Sequence, residues 1–222
     1  MLVVGVTGAM GCGKSSAAGW LTAHESEALR LDADVLAREA VAPGTEGWRR
    51  IVAHFGPEAT LGEGPLAERP LNRRWLAERV FADDEERRVL EGMIHPEVWR
   101  RMGEALAAWA TAHPRGWVVL DVPLLFESGQ EGRCDLTVVV TCGGARASRL
   151  AGREGEGMST RAQQGAMAGQ WSEEAKRARA DRVIDNGGDW PETLRQLEGL
   201  KRELSQRAAA GEGEAWPRRW RP

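Results

Sequence analysis

The sequence predicts an α/β fold built on a five-stranded parallel sheet with helices on both faces. Three observations carry that expectation: five short apolar, β-branched runs, helical periodicity between them, and a glycine-rich turn set directly between the first strand and the first helix. The chain has 222 residues, 42% of them hydrophobic and 28% charged. That suffices for a single domain whose core needs no disulfide or metal staple.

Residues 2–6 form a continuous valine-rich run, the pattern of a strand covered on both faces, and Gly8 ends it. From Lys14 to about His24, Ala17, Ala18 and Leu21 recur at helical spacing. Residues 29–31 make a brief second strand stopped by Asp32-Ala33-Asp34, so strand, helix and strand imply a parallel pair. Residues 35–116 read as mainly helical, with breaks at Pro43-Gly44, at Gly56-Pro57 and between Gly62 and Pro70. Asp83-Asp84 is placed to cap a helix over 85–94, and His95-Pro96 is expected to break it before an amphipathic helix carrying Val98, Met102, Leu106 and Trp109. Residues 117–122, 136–141 and 182–184 supply the remaining strands. Residues 143–169 are rich in Gly, Arg and Glu and are expected outside the core, and the tail from about Ala208 has no periodicity and is expected to be frayed.

The net charge of −3 argues against a surface that binds nucleic acid through its phosphates. No apolar run approaches the roughly 18 residues needed to span a bilayer, and the apolar N-terminus lacks a basic leader region. Neither a nucleic acid nor a membrane is therefore an expected partner. The three cysteines, Cys12, Cys134 and Cys142, form no C-x-x-C pair and are odd in number, which fits a reducing cytoplasm. The four histidines show no ligand spacing.

Gly8-Ala9-Met10-Gly11-Cys12-Gly13-Lys14-Ser15 matches G-x-x-x-x-G-K-[ST] between a strand and a helix, the context that the phosphate-binding loop requires. Glycines let successive N–H groups point inward at phosphate oxygens, and the helix presents its positive end to the same place. Lys14 is expected to reach the β and γ phosphates and the Ser15 hydroxyl to help hold Mg²⁺. Of 30 basic residues, all but Lys14, Lys176 and Lys201 are Arg, so the lysine in the loop stands where a slim point charge fits and a planar fork does not. Asp32 and Asp34 alternate at the ligand-binding edge of the sheet, where an extended chain would turn both to one side; either one accepts a proton or acts through Mg²⁺, or it simply caps the helix that follows. Asp121 closes the third strand where a carboxylate holds the Mg²⁺ shell, directly or through water, or else braces a loop. Arg149 and Arg153 share one helix face and either close on a phosphate chain or form a solvated basic face.

The segments GVTGAMGCGKSS, LDADVLAR, PLNRRWLAERVF, IHPEV, DVPLLFE, SRLAGR and ADRVIDNGG, in this order over about residues 2–200, closely resemble the dephospho-CoA kinase family. The resemblance implies ATP-dependent phosphorylation of the ribose 3′-hydroxyl of dephospho-CoA with Mg²⁺, the last step of coenzyme A synthesis. It also implies one domain over 2–205: a P-loop kinase core (2–34, 117–142 and 171–205), a helical acceptor-binding region (35–116) and a lid (143–170), with 206–222 a disordered tail. Carried over, Gly11, Cys12, Gly13, Lys14, Ser15 and Ser16 hold ATP, and Asn186 lies near adenine. Asp34 is the base, with Lys14, Arg149 and Arg153 in the catalytic set. Asp32, Asp34, Arg73, His95 and Asp121 face the acceptor, Arg73 lying in the family's R-x-x-L pattern. Arg146 replaces a common Gln, and Cys12 stands where the family usually has Ser. A monomer is expected, with a homo-oligomer the alternative. A shikimate-type kinase also pairs a P-loop with D-x-D but needs no insertion as long as 35–116, and a GTPase switch lacks its N-K-x-D base reader.

Overall fold

The computed structural model describes residues 1–145 and 169–220. Its centre is one all-parallel five-stranded sheet in the order β2-β3-β1-β4-β5. The strands are β1 (Leu2–Gly8), β2 (Ala28–Asp32), β3 (Trp117–Asp121), β4 (Leu136–Thr141) and β5 (Arg182–Asp185). Every residue of β1, β3 and β4 is buried, as strands covered on both faces must be, and their valine-rich sequences follow from that. The helices are α1 (Lys14–Thr22), α2 (Ala33–Ala40), α3 (Glu46–Phe55), α4 (Arg73–Ala82), α5 (Asp84–Ala112), α6 (Glu173–Arg179) and α7 (Trp190–Ala210).

The chain forms two compact units, one comprising Met1–Asp32 with Ala105–Pro222 and the other Ala33–Glu104. In the first, Ala17, Ala18 and Leu21 of α1 and Leu197, Leu200, Leu204 and Ala208 of α7 join the strand side chains Leu2, Val4, Val6, Val119, Val138 and Val140 in one core. Each fully buried leucine or valine contributes about 1.5–3 kcal/mol. At Gly8 an added Cβ would lie 2.6 Å from the carbonyl oxygen of Val140, so only glycine allows β1 to run alongside β4 at this point.

In the second unit, Ala40, Val41, Trp48, Ile51, Ala59, Leu71 and Leu76 form a separate core. Thr45 caps α3 by accepting from Trp48 N (3.2 Å), and Asn72 caps α4 by accepting from Trp75 N (3.1 Å). Asp83 caps α5 as expected, accepting from Glu85 N at 2.8 Å.

Three expectations are corrected. His95-Pro96 does not break a helix: α5 runs unbroken from Asp84 to Ala112 with Pro96 inside it. The proline removes one N–H and crowds the carbonyl four residues back, at Gly92, but a 29-residue helix keeps bonds on both sides of that gap, and Glu97 grips Arg100 and Arg101 in the next turn. Asp32 and Asp34 do not alternate along an extended chain, because Asp32 ends β2 and Asp34 already lies in the first turn of α2. The tail is not frayed over its described length. α7 reaches Ala210, Gly211 closes it in the left-handed conformation, and Ala215 is fully buried. Asp135 fixes the segment: its Oδ1 accepts from Glu214 N (2.8 Å) and Ala215 N (2.6 Å), while its Oδ2 accepts from Val3 N (2.8 Å). Trp220 Nε1 then donates to Arg133 O at 3.0 Å.

Candidate functional site

Sheet register builds the site. Val6 of β1 pairs with Asp121 of β3, which pairs with Asp32 of β2, so the two acids sit side by side at the carboxyl edge, next to the strand that feeds the glycine loop. Residues in register share a face, and so does a residue two positions earlier in a strand, which brings Arg30 onto the face of Asp32. Arg30 Nη2 donates to Asp32 Oδ2 at 2.7 Å and to Asp121 Oδ2 at 2.6 Å. Asp121, fully buried, accepts from Lys14 Nζ through its other oxygen. Among the described residues, two cations and two carboxylates thus form one network. Arg30 is a member that the sequence did not announce; an arginine among the apolar residues of a strand is the signal that marks it.

The loop itself ends in Gly13, whose φ of 79° an L side chain rarely adopts and which caps α1 without any side-chain bond. α1 has no acid in its first turn, so among the described residues its leading N–H groups have no side-chain acceptor and face the place where an anion would sit. Ser15 and Ser16 are exposed in that turn. Asn186, 5% exposed, donates from Nδ2 to Cys12 O (2.9 Å) and accepts from Thr193 Oγ1 (3.0 Å), so this residue, expected near adenine, braces the loop. Cys12 is joined to Cys142, the residue after β4, by a disulfide across 130 positions, a pairing that sequence spacing conceals.

Lys176 of α6 is a second residue that sequence reasoning missed, although the scarcity of lysine could have flagged it. Fully buried, its ammonium contacts Glu127 Oε1 (2.8 Å), Pro123 O (2.8 Å) and Thr7 Oγ1 (3.3 Å), tying α6 to β1 and to the loop after β3. Burial lowers its pKa, the Glu127 carboxylate opposes that shift, and the nearby charge of Lys14 adds to it. Glu127 also accepts from Trp171 N at 2.7 Å.

Asp34, Arg73 and His95 belong to the second unit: Asp34 exposed in the first turn of α2, Arg73 opening α4, and His95 half-buried within α5. Desolvation first, and the positive charge of Arg38 second, hold the Arg73 guanidinium below its ordinary pKa. Two neighbouring guanidinium groups that form no ion pair among the described residues make an anion-attracting position. Arg149 and Arg153 lie outside the described residues, as does Arg146. The donors around the loop are hard oxygens, the Ser15 hydroxyl and the carboxylates of Asp32 and Asp121, which suit Mg²⁺. Both Asp121 oxygens already accept from cations, which favours contact with such an ion through water. No helix among the described residues is long and apolar enough to cross a membrane.

The sequence model of the dephospho-CoA kinase family matches residues 2–192. The dephospho-CoA kinase of Frankia casuarinae is 38% identical over 214 residues, covering 95% of this chain and 86% of that one. The enzyme of Moorella thermoacetica is 36% identical over 210 residues, covering 94% and 95%. Among solved structures, TT1252 from Thermus thermophilus superposes with a TM-score of 0.72 at 35% identity, covering 91% of this chain and 97% of that one. Dephospho-CoA kinase from Campylobacter jejuni, at 21% identity, shares the fold with a TM-score of 0.64, covering 92% and 97%.

Proposed function

The chain belongs to the dephospho-CoA kinase family, ATP-dependent enzymes of the last step of coenzyme A synthesis, and on that premise we propose how its own residues perform the transfer. The observation that carries the proposal is Asp121, buried at the sheet edge and held by Lys14 and Arg30 beside an uncapped helix terminus. Residues 11–16 take the ATP phosphates through backbone N–H groups. Lys14 leaves Asp121 for the β and γ phosphates and follows the charge of the moving group, a contribution of the size seen for single transition-state donors, about 10²–10³ in rate. Arg30 keeps Asp121 and Asp32 in place when Lys14 departs.

Ser15, with Asp121 through water, would hold Mg²⁺, which supplies neutralisation of phosphate charge. Asp34 accepts the proton of the ribose 3′-hydroxyl. Asp32 is less suited, because its Oδ2 is already engaged by the Arg30 guanidinium. Arg73 with Arg38, and His95 on α5, serve the anionic acceptor. Arg149 and Arg153 are assigned to the lid by the sequence alone.

The test is an ADP-release screen with Mg²⁺-ATP. Dephospho-CoA is expected to drive turnover and yield coenzyme A, while shikimate, gluconate and nucleoside monophosphates leave ATP nearly untouched. Preference for shikimate would overturn the acceptor assignment, and nucleotide binding without ADP release under any condition would point to a switch.

A further inference from the structure

Cys12 lies inside the nucleotide loop and Cys142 directly follows β4, yet their Cα atoms are 5.0 Å apart. Both residues are fully buried, in a pocket completed by Ala9. Glu173 closes the group: its Oε2 is 3.3 Å from Cys12 Sγ and accepts from Cys142 N at 3.1 Å, and its Oε1 accepts from Gly143 N at 3.0 Å. We propose that Cys12 and Cys142 are an oxidation site, a reversible dithiol and disulfide that switches the loop between strong and weak ATP binding.

The inference rests on the loop being the ATP site. In the disulfide-paired structure the loop is turned on its own acceptors. Cys12 N donates to Ala9 O at 3.1 Å and Met10 N to Gln170 Oε1 at 3.2 Å, while Lys14 is held by Asp121. A triphosphate needs those donors turned toward it, so the loop has to leave these partners. A covalent tie from Cys12 to the end of β4 opposes that rearrangement, and reduction releases it. The cost falls on ATP binding and leaves the rest of the fold untouched, since the cross-link joins two segments that the sheet already holds side by side.

The chemistry is a two-electron oxidation by a peroxide, small enough to reach thiols that are fully covered. Cys12, beside the positive end of α1 and next but one to Lys14, is the attacking thiol. The Cys12 sulfur attacks one peroxide oxygen, the O–O bond breaks, and a sulfenic acid and hydroxide form; the hydroxide takes the proton that Cys12 lost and leaves as water. The Cys142 sulfur then attacks Cys12 Sγ, forming the S–S bond. The sulfenic oxygen departs as hydroxide and becomes a second water with the Cys142 proton, which passes through Glu173. Hydrogen peroxide is thus reduced to two waters as two thiols become one disulfide, and a dithiol reductant reverses the change by exchange. Cys134 is a built-in control: it is free, and burial first, then the charges of Asp135 and Glu131, push its thiol up to about 12, so it stays protonated and inert.

The experiment compares ATP binding by calorimetry for the full chain reduced with dithiothreitol and then oxidised with hydrogen peroxide, with peptide mapping after alkylation. The reduced protein is expected to bind ATP, and oxidation to weaken binding by about tenfold or more, reversibly, with a Cys12–Cys142 peptide lighter by the hydrogens lost. Cys142→Ser, which removes one sulfur outside the loop, is expected to bind ATP like the reduced wild type before peroxide and to yield no cross-linked peptide after it. Equal affinity of the two wild-type forms overturns the switch alone. So does a wild-type loss of affinity with no Cys12–Cys142 peptide formed, or zinc retained by the reduced protein that blocks oxidation. Failure of the reduced protein to bind ATP overturns the loop assignment and the switch with it.

Discussion

Lys176→Met removes an ammonium that no solvent reaches and leaves a side chain of similar length. The Glu127 carboxylate, itself only 9% exposed, then loses its counter-charge, and Pro123 O and Thr7 Oγ1 lose a donor. Breaking a buried pair from one side costs about 3–5 kcal/mol, because the remaining charge stays in the interior uncompensated. For a chain of this size each kcal/mol lowers the melting temperature by about 2–4 °C, so a fall of about 6–20 °C is expected by circular dichroism. Adding Glu127→Gln neutralises the orphaned charge while keeping an acceptor for Trp171 N, and should recover at least half of the loss. A single variant melting within about 2 °C of the parent, or a double variant no better than the single, would show that the pair is not a coupled internal brace.

Asp34→Asn keeps the size of the side chain and removes the proton acceptor, so kcat should fall by about 10² or more while dephospho-CoA binding by calorimetry changes little; full activity would return the role to Asp32. Arg73→Met should raise the KM for dephospho-CoA with a much smaller change in kcat, and an unchanged KM would remove Arg73 from acceptor binding. Glu97 is held at about 2, below its ordinary 4.5, chiefly by the Arg100 hydrogen bond and further by Arg101. The stability it contributes is present above pH 4.5 and lost as pH falls towards 2. The gap between the parent and Glu97→Gln, about 1 kcal/mol after solvent screening, should therefore be full at pH 7 in urea titrations and shrink across that window; a gap independent of pH would contradict it.

What was legible in the sequence is what repeats or what a local motif encodes. All five strands and their parallel pairing follow from short apolar runs alternating with helices, and the loop from a pattern set between β1 and α1. The strand-end position of Asp121 was legible because it closes the apolar run of β3. Arg30 was not, since its role comes from a neighbour 91 residues away across the sheet. Lys176 and the Cys12–Cys142 pair depend likewise on segments that only the folded chain brings together. The tail misled because it has no period: single anchors hold it, chiefly one aspartate that receives three backbone N–H groups. Pro96 is a local breaker, and the 29-residue helix that accommodates it is not visible from the dipeptide alone.

Phosphoryl transfer through the Lys14 and Asp121 network at the carboxyl edge of the sheet is probed by Lys14→Met in a single-turnover assay of coenzyme A formation from bound ATP and dephospho-CoA. A transfer rate lower by about 10²–10³ is expected in a protein that still folds, with Arg30 continuing to hold Asp121. A transfer rate within about threefold of the parent would place the chemistry elsewhere.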